Sequence, residues 1–78
     1  MIGKLLREFR MRKGLRQAEL SEILGIAQTT LSGYETSYSN PGFDMIEKIC
    51  DHCDYEIIFR NKYDGSEFTM EVLDKIEV

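Results

Sequence analysis

The residues of this chain that most readily suggest chemistry are Cys50, His52 and Cys53, gathered in the tetrapeptide Cys50-Asp51-His52-Cys53. Thiolate and imidazole are zinc ligands, but a structural zinc site takes four of them, usually as two pairs at matched spacing. The sequence has no second pair. Cys50 and Cys53 also continue an apolar stripe through Met45, Ile46 and Ile49, where thiols behave as small hydrophobes. His52 then falls between them, facing solvent, and no metal or other cofactor is expected. Catalysis is no better served. The chain has one His, no glycine-rich loop following a strand, and ten Asp or Glu scattered over its last 35 positions without evident pairing. Those carboxylates read as a solvated surface, and an enzyme is not expected.

The remaining chemistry is concentrated positive charge. Residues 1–43 carry six Lys or Arg (Lys4, Arg7, Arg10, Arg12, Lys13, Arg16) against four Glu, a net +2. Residues 44–78 carry four against ten, a net −6, so that the whole chain stands at −4. A net negative protein is a poor partner for phosphate taken as a whole, because phosphate binding needs cations. A basic face on an acidic body is different: it orients the protein on a polyanion and repels other approaches. Arg12, Lys13 and Arg16 are therefore read as phosphate contacts in preference to ordinary solvated surface.

The elements that would carry these residues are helices. Residues 2–13 place Ile2, Leu5, Leu6 and Phe9 on one face, with Gly14 as the stop. Gln17–Leu24 repeats the pattern with Leu20, Ile23 and Leu24, and Gln28–Thr36 with Leu31 and Tyr34. Gly25 between them suits the left-handed conformation that ends a helix. Ile26 plugs the turn, and the small Ser21 allows close approach where the helices cross. Two short helices about a glycine turn are a helix-turn-helix. Arg16 and Ala27 stand where Ser or Thr usually caps, each at a cost of roughly 1 kcal/mol. Gly33 inside the third helix costs about as much again; it accommodates either packing or an approaching surface. After the loop Thr36–Gly42, a fourth helix is expected over Phe43–Cys53, with Asp44 at its positive end.

Residues 2 to about 53 resemble the XRE family, the Cro- and repressor-type helix-turn-helix proteins of phages and bacteria. The resemblance rests on Arg7, Arg10, Gln17, Leu20, Gly25, Ile26, Leu31, Tyr34 and Glu35, with Asn40-Pro41 before the next helix. It implies a compact helical bundle and DNA-binding regulation of transcription. It implies an ion pair between Arg10 and Glu35 that joins the first helix to the third. It also places the base-contacting side chains at Gln28, Thr29, Thr30 and Ser32, with Gly33 beside them. Gln28 could bind adenine through N6 and N7 together, and a threonine methyl could meet a thymine methyl, so A·T pairs are expected in the half-site. Gln17 is implied to grip a phosphate at a helix N-terminus. Tyr38, Ser39 and Asn40 would add backbone contacts, although relatives often have glycine and basic residues around Ser37–Ser39.

Beyond the fourth helix the period changes to two. Tyr55, Ile57 and Phe59 alternate with Glu56, Ile58 and Arg60, then Phe68, Met70 and Val72 with Glu67, Thr69 and Glu71, around Asp64-Gly65. This reads as a β-hairpin with a longer than minimal connection. Leu73–Val78 would extend the strand or form a terminal turn. The expected architecture is thus mainly α: a four-helix, repressor-like helix-turn-helix bundle (residues 1–53) followed by a C-terminal β-hairpin (54–78) of the same domain. At 78 residues the core is small, and dimerisation would supplement it. Free strand edges and the apolar residues Tyr55, Ile57, Phe59, Phe68 and Met70 make the hairpin the expected dimer contact. Lys4, Arg7, Glu8 and Arg10 interrupt the N-terminal apolar residues, unlike a signal peptide, and no run could span a bilayer. The cytoplasm is the expected compartment.

Two functions compete. One is a sequence-specific, repressor-like regulator that reads double-stranded DNA as a homodimer. The other is a protein-interaction module, such as an antitoxin that binds a toxin through its acidic C-terminal part.

Overall fold

The computed structural model describes residues 2–73, 75 and 76. Its elements are α1 (Ile2–Lys13), α2 (Gln17–Leu24), α3 (Gln28–Glu35), α4 (Phe43–His52), β1 (Ile58–Arg60), β2 (Glu67–Thr69) and α5 (Met70–Leu73). This is the mainly α bundle with a C-terminal hairpin that the sequence leads one to expect, with one short helix added. Each of the four long helices gives the centre one fully buried aliphatic side chain: Leu6, Leu20, Leu31 and Ile49. Burying each contributes about 1.5–3 kcal/mol. Around them pack Phe9, Leu15, Ile26, Tyr34, Met45 and Tyr55, with Cys53 closing the cluster. Helix α3 lies against both α1 and α2, and α1 also packs on α4.

The four long helices end in the same way. A residue in the left-handed region follows the last turn: Gly14 at φ 79°, Gly25 at 71°, Ser37 at 63° and Asp54 at 67°. The next residue folds back and donates its N–H five residues up the chain. Leu15 donates to Arg10 at 3.1 Å, Ile26 to Ser21 at 3.0 Å, Tyr38 to Gly33 at 2.9 Å and Tyr55 to Cys50 at 2.8 Å. These are Schellman motifs, which satisfy the orphan carbonyls of a helix end and turn the following apolar side chain back toward the helix. Leu15, Ile26 and Tyr55 use that turn to reach the core. Tyr55 stacks on Phe9 with ring centroids 3.8 Å apart. Tyr38 is the exception, 90% exposed.

Close approach of α1 to α3 depends on Gly3. A Cβ there would collide with the Tyr34 carbonyl oxygen and lie 2.9 Å from those of Glu35 and the Ser37 hydroxyl. Helix α2 is capped better than its Arg16 suggests. The Glu19 carboxylate accepts the Arg16 backbone N–H at 3.0 Å, the reciprocal half of a capping box.

Several expectations change in the C-terminal part. Strand pairing is confined to three residues each, with Ile58 opposite Thr69, Phe59 opposite Phe68 and Arg60 opposite Glu67. Tyr55 and Ile57 precede the ladder. Met70 and Val72 lie on the four-residue α5, because the second half of a six-residue alternation is too short to exclude a helical turn. The connection is held by side chains: Asn61 Oδ1 accepts the N–H of Tyr63 at 2.8 Å and of Asp64 at 3.2 Å, and Asp64 accepts that of Ser66 at 2.8 Å. Ile23 and Leu5, expected on apolar faces, are each about half exposed. The possible continuation through Asp74, Glu77 and Val78 lies outside the described residues. No helix among the described residues is long and apolar enough to cross a membrane.

Candidate nucleic-acid interface

Leu31, Tyr34 and Glu35, at helical intervals, face inward and fix α3 on the bundle. Thr29 is consequently exposed on the opposite side with Gly33 half-buried one turn on. Thr30 and Ser32 are half-buried on the flanks, and Gln28 is exposed as the first residue of the helix although it shares the stripe of Leu31 and Glu35. The five positions expected to read bases thus share one short helix, and four of them carry uncharged polar groups. Ala27 gives α3 no side-chain cap, so the first N–H groups of the helix are left without one.

Helix α3 is held in place by a buried polar network. Arg10 grips Glu35 with two parallel bonds, Nε to Oε2 at 2.7 Å and Nη2 to Oε1 at 2.8 Å. Its third nitrogen, Nη1, donates to the Leu15 carbonyl at 2.8 Å. Gln17 Nε2 donates to the same carboxylate at 3.1 Å. The Arg10–Glu35 pair therefore ties together the last turns of α1, the α1–α2 connection, the first residue of α2 and the end of α3. The side chain of Glu35 is 1% exposed. Burial pushes its carboxyl up, and the bonds from Arg10 and Gln17, with the nearby charges of Arg10 and Arg7, outweigh that and hold it below the usual glutamate range. The bidentate geometry sets the angle between helices more than it adds stability. The pair implied by the resemblance is present. Gln17 has its side-chain amide turned inward, which leaves its position at the start of α2, rather than its Nε2, as what faces solvent.

Each expected phosphate cation has an acidic neighbour. Arg12 pairs with Glu8 at 3.2 Å, Lys13 with Asp54 at 2.5 Å and Arg16 with Glu19 at 3.0 Å. The hydrogen bond and charge of Asp54 raise the pKa of Lys13. Exposed pairs of this kind are worth little. Tyr38, Ser39 and Asn40 are all exposed on the loop after α3. Sequence reasoning overlooked the role of Arg7, whose charge reaches Glu35; the signal was its place one turn before Arg10 on the same stripe.

The cysteines lie apart from this surface. Cys50 and Cys53 are buried and free, and burial pushes both thiols up, while His52 is exposed. Among the described residues, no group of three or more His, Cys, Asp or Glu converges as a metal site would require.

Comparison with known proteins gives a family match over residues 6–59, described as helix-turn-helix. The chain is 40% identical over 48 residues to the HTH-type transcriptional regulator ImmR of Bacillus subtilis, covering 62% of this chain and 38% of that one. It is 31% identical over 70 residues to the HTH-type transcriptional regulator SinR of Bacillus licheniformis, covering 87% and 63%. It is 38% identical over 50 residues to the antitoxin PezA of Streptococcus pneumoniae, covering 64% and 32%. The chain thus spans less than two thirds of the length of each of these relatives.

Proposed function

Because the chain belongs to the XRE-type helix-turn-helix family of DNA-binding transcription regulators, we propose that it reads a specific operator as a homodimer and represses transcription there. The observation that carries this reading is the outward face of α3, held at a fixed angle by the Arg10–Glu35–Gln17 network. Gln28, Thr29, Thr30, Ser32 and the small Gly33 enter the major groove, where amide and methyl groups favour A·T pairs. Arg12, Lys13 and Arg16 exchange their carboxylate partners for phosphates. Gln17 presents the start of α2 to a phosphate, and Tyr38, Ser39 and Asn40 flank the same strand. The hairpin pairs the two copies, with Phe59 and Phe68 as its anchors; Ile57 and Met70 lie nearer the bundle, and Tyr55 is already stacked inside its own protomer. The cytoplasm is the compartment this function requires.

Selection from a randomised duplex pool at about 150 mM salt tests the proposal, since non-specific phosphate binding weakens there. Two inverted half-sites about one helical turn apart are expected. Gln28→Ala should lower affinity by roughly 5- to 150-fold and relax preference at one base pair. Enrichment of nothing, with affinity that only follows falling salt, would sink the reading. The likeness to an antitoxin favours a second: the half-exposed apolar residues of the hairpin bind a protein partner, and DNA binding is secondary.

A further inference from the structure

Three of the four Schellman motifs place an apolar residue on the core, and the fourth places Tyr38 in solvent. In the fourth, the residue five back is Gly33. In this motif the residue after the left-handed position commonly packs against a side chain five or six back, and Gly33 offers none. The Tyr38 N–H bonds the Gly33 carbonyl at 2.9 Å, and the Ser39 N–H shares that acceptor at 3.2 Å. A Cβ built on Gly33 would lie 3.8 Å from Tyr38 Cδ2 and 3.2 Å from Ser39 Oγ. The tyrosine ring therefore stands beside the space a side chain at position 33 would use. Position 33 is also one turn beyond Thr29 on the outward stripe of α3.

We propose that Tyr38 determines sequence specificity, its ring supplying the base contact that Gly33 cannot make. This rests on the DNA-reading function proposed above and goes beyond a phosphate contact from the loop. The ring is apolar on its faces and approaches from the end of α3. In the major groove its complement is the C5 methyl of a thymine at one end of the half-site. The Schellman turn gives the contact its register, because two backbone hydrogen bonds hold the main chain at Tyr38 and Ser39 against the end of the helix that carries Thr29. A free loop tyrosine would have no such registration.

The test uses the selected operator and duplexes in which each thymine of the half-site is replaced in turn by deoxyuridine, which lacks only the methyl group. Wild-type protein should lose about 4-fold in affinity at one terminal thymine, the value expected for one buried methyl. Tyr38→Ala should bind the unmodified operator more weakly and show no further loss on that duplex, while its response at every other position is unchanged. Tyr38→Phe should retain the 4-fold discrimination. Equal weakening of Tyr38→Ala on every duplex, with the deoxyuridine effect intact, would overturn the proposal and leave Tyr38 a phosphate contact. A wild-type protein that selects no operator would overturn the DNA-reading function itself, a result visible before any variant is made. At 90% exposure Tyr38 is not part of the core, and thermal melts of both variants should match wild type.

Discussion

At the scale of single residues the protein turns on Glu35, a buried carboxylate with three hydrogen bonds from two side chains. Its pKa lies below the usual range in the folded state, so it binds its proton less readily there than in the unfolded chain. The stability it contributes is full above the ordinary glutamate pKa of about 4.3 and is lost as the pH falls through the depressed folded value. Removing one side of such a pair costs about 3–5 kcal/mol. Urea melts of Glu35→Gln should therefore show a deficit of that order at pH 7 that shrinks toward pH 3. A deficit independent of pH would mean that the ionised form has no special place in the fold. The double substitution Arg10→Met with Glu35→Leu is expected to recover most of the stability, because apolar packing often replaces a buried pair without loss. The Arg10–Glu35 pair was legible through resemblance. The inward turn of Gln17 was not, since nothing in a linear sequence says which way an amide beside a buried carboxylate will face.

At the scale of elements, helix ends decide the architecture. Gly14 and Gly25 announce two of the four left-handed stops because glycine adopts them freely. Ser37 and Asp54 conceal the other two: a side chain makes the left-handed region costly, and the hydrogen bonds of the completed motif help to hold them there. Ser37→Gly relieves that strain and is expected to stabilise the protein by at most about 0.5–1 kcal/mol, after allowing for the greater freedom of glycine in the unfolded chain and for what the serine side chain itself contributes. A rise of several degrees in the melting midpoint would register it. Asp54→Gly should gain less, because aspartate tolerates this conformation and the pair with Lys13 goes with it. Gly3 makes the opposite case. Nothing in the periodicity of α1 marks it, since the requirement comes from the backbone of α3 crossing there. Gly3→Ala should destabilise by about 1–3 kcal/mol through overpacking against carbonyl oxygens that cannot move independently. A neutral result would show that α1 slides along α3 without penalty. The same dependence on tertiary context explains why Met70 and Val72 read as strand and fold as helix.

At the scale of the whole molecule the hairpin stands out from the bundle. The radius of gyration is 14.0 Å, where a sphere-like chain of this length would have about 11.5 Å. Two strands alone are barely stable, and among the described residues nothing pairs with either edge of this sheet. Phe59 and Phe68 are directly opposite in the ladder, so their rings share one face, and each is nearly half exposed. Phe59 also reaches toward Phe43, with ring centroids 6.1 Å apart, and borders an apolar groove of about 360 Å³ between α1, α4 and the segment leading to β1. The other hairpin face carries the exposed Arg60–Glu67 pair beside Ile58 and Thr69, and covering an exposed ion pair of that kind adds little. If the phenylalanine face joins two copies, sedimentation should give twice the 9.1 kDa chain mass, and Phe59→Asp or Phe68→Asp should return the single-chain mass. Both variants should lose affinity for a two-half-site operator, because each half then binds without the effective concentration that linkage provides. Their affinity for an isolated half-site should stay within about 2-fold of wild type, since α3 and its polar network are untouched. A variant that remains dimeric would move the interface elsewhere. A wild-type chain that sediments as a monomer yet binds the operator cooperatively would place the pairing on DNA, with the duplex bringing the two hairpins together.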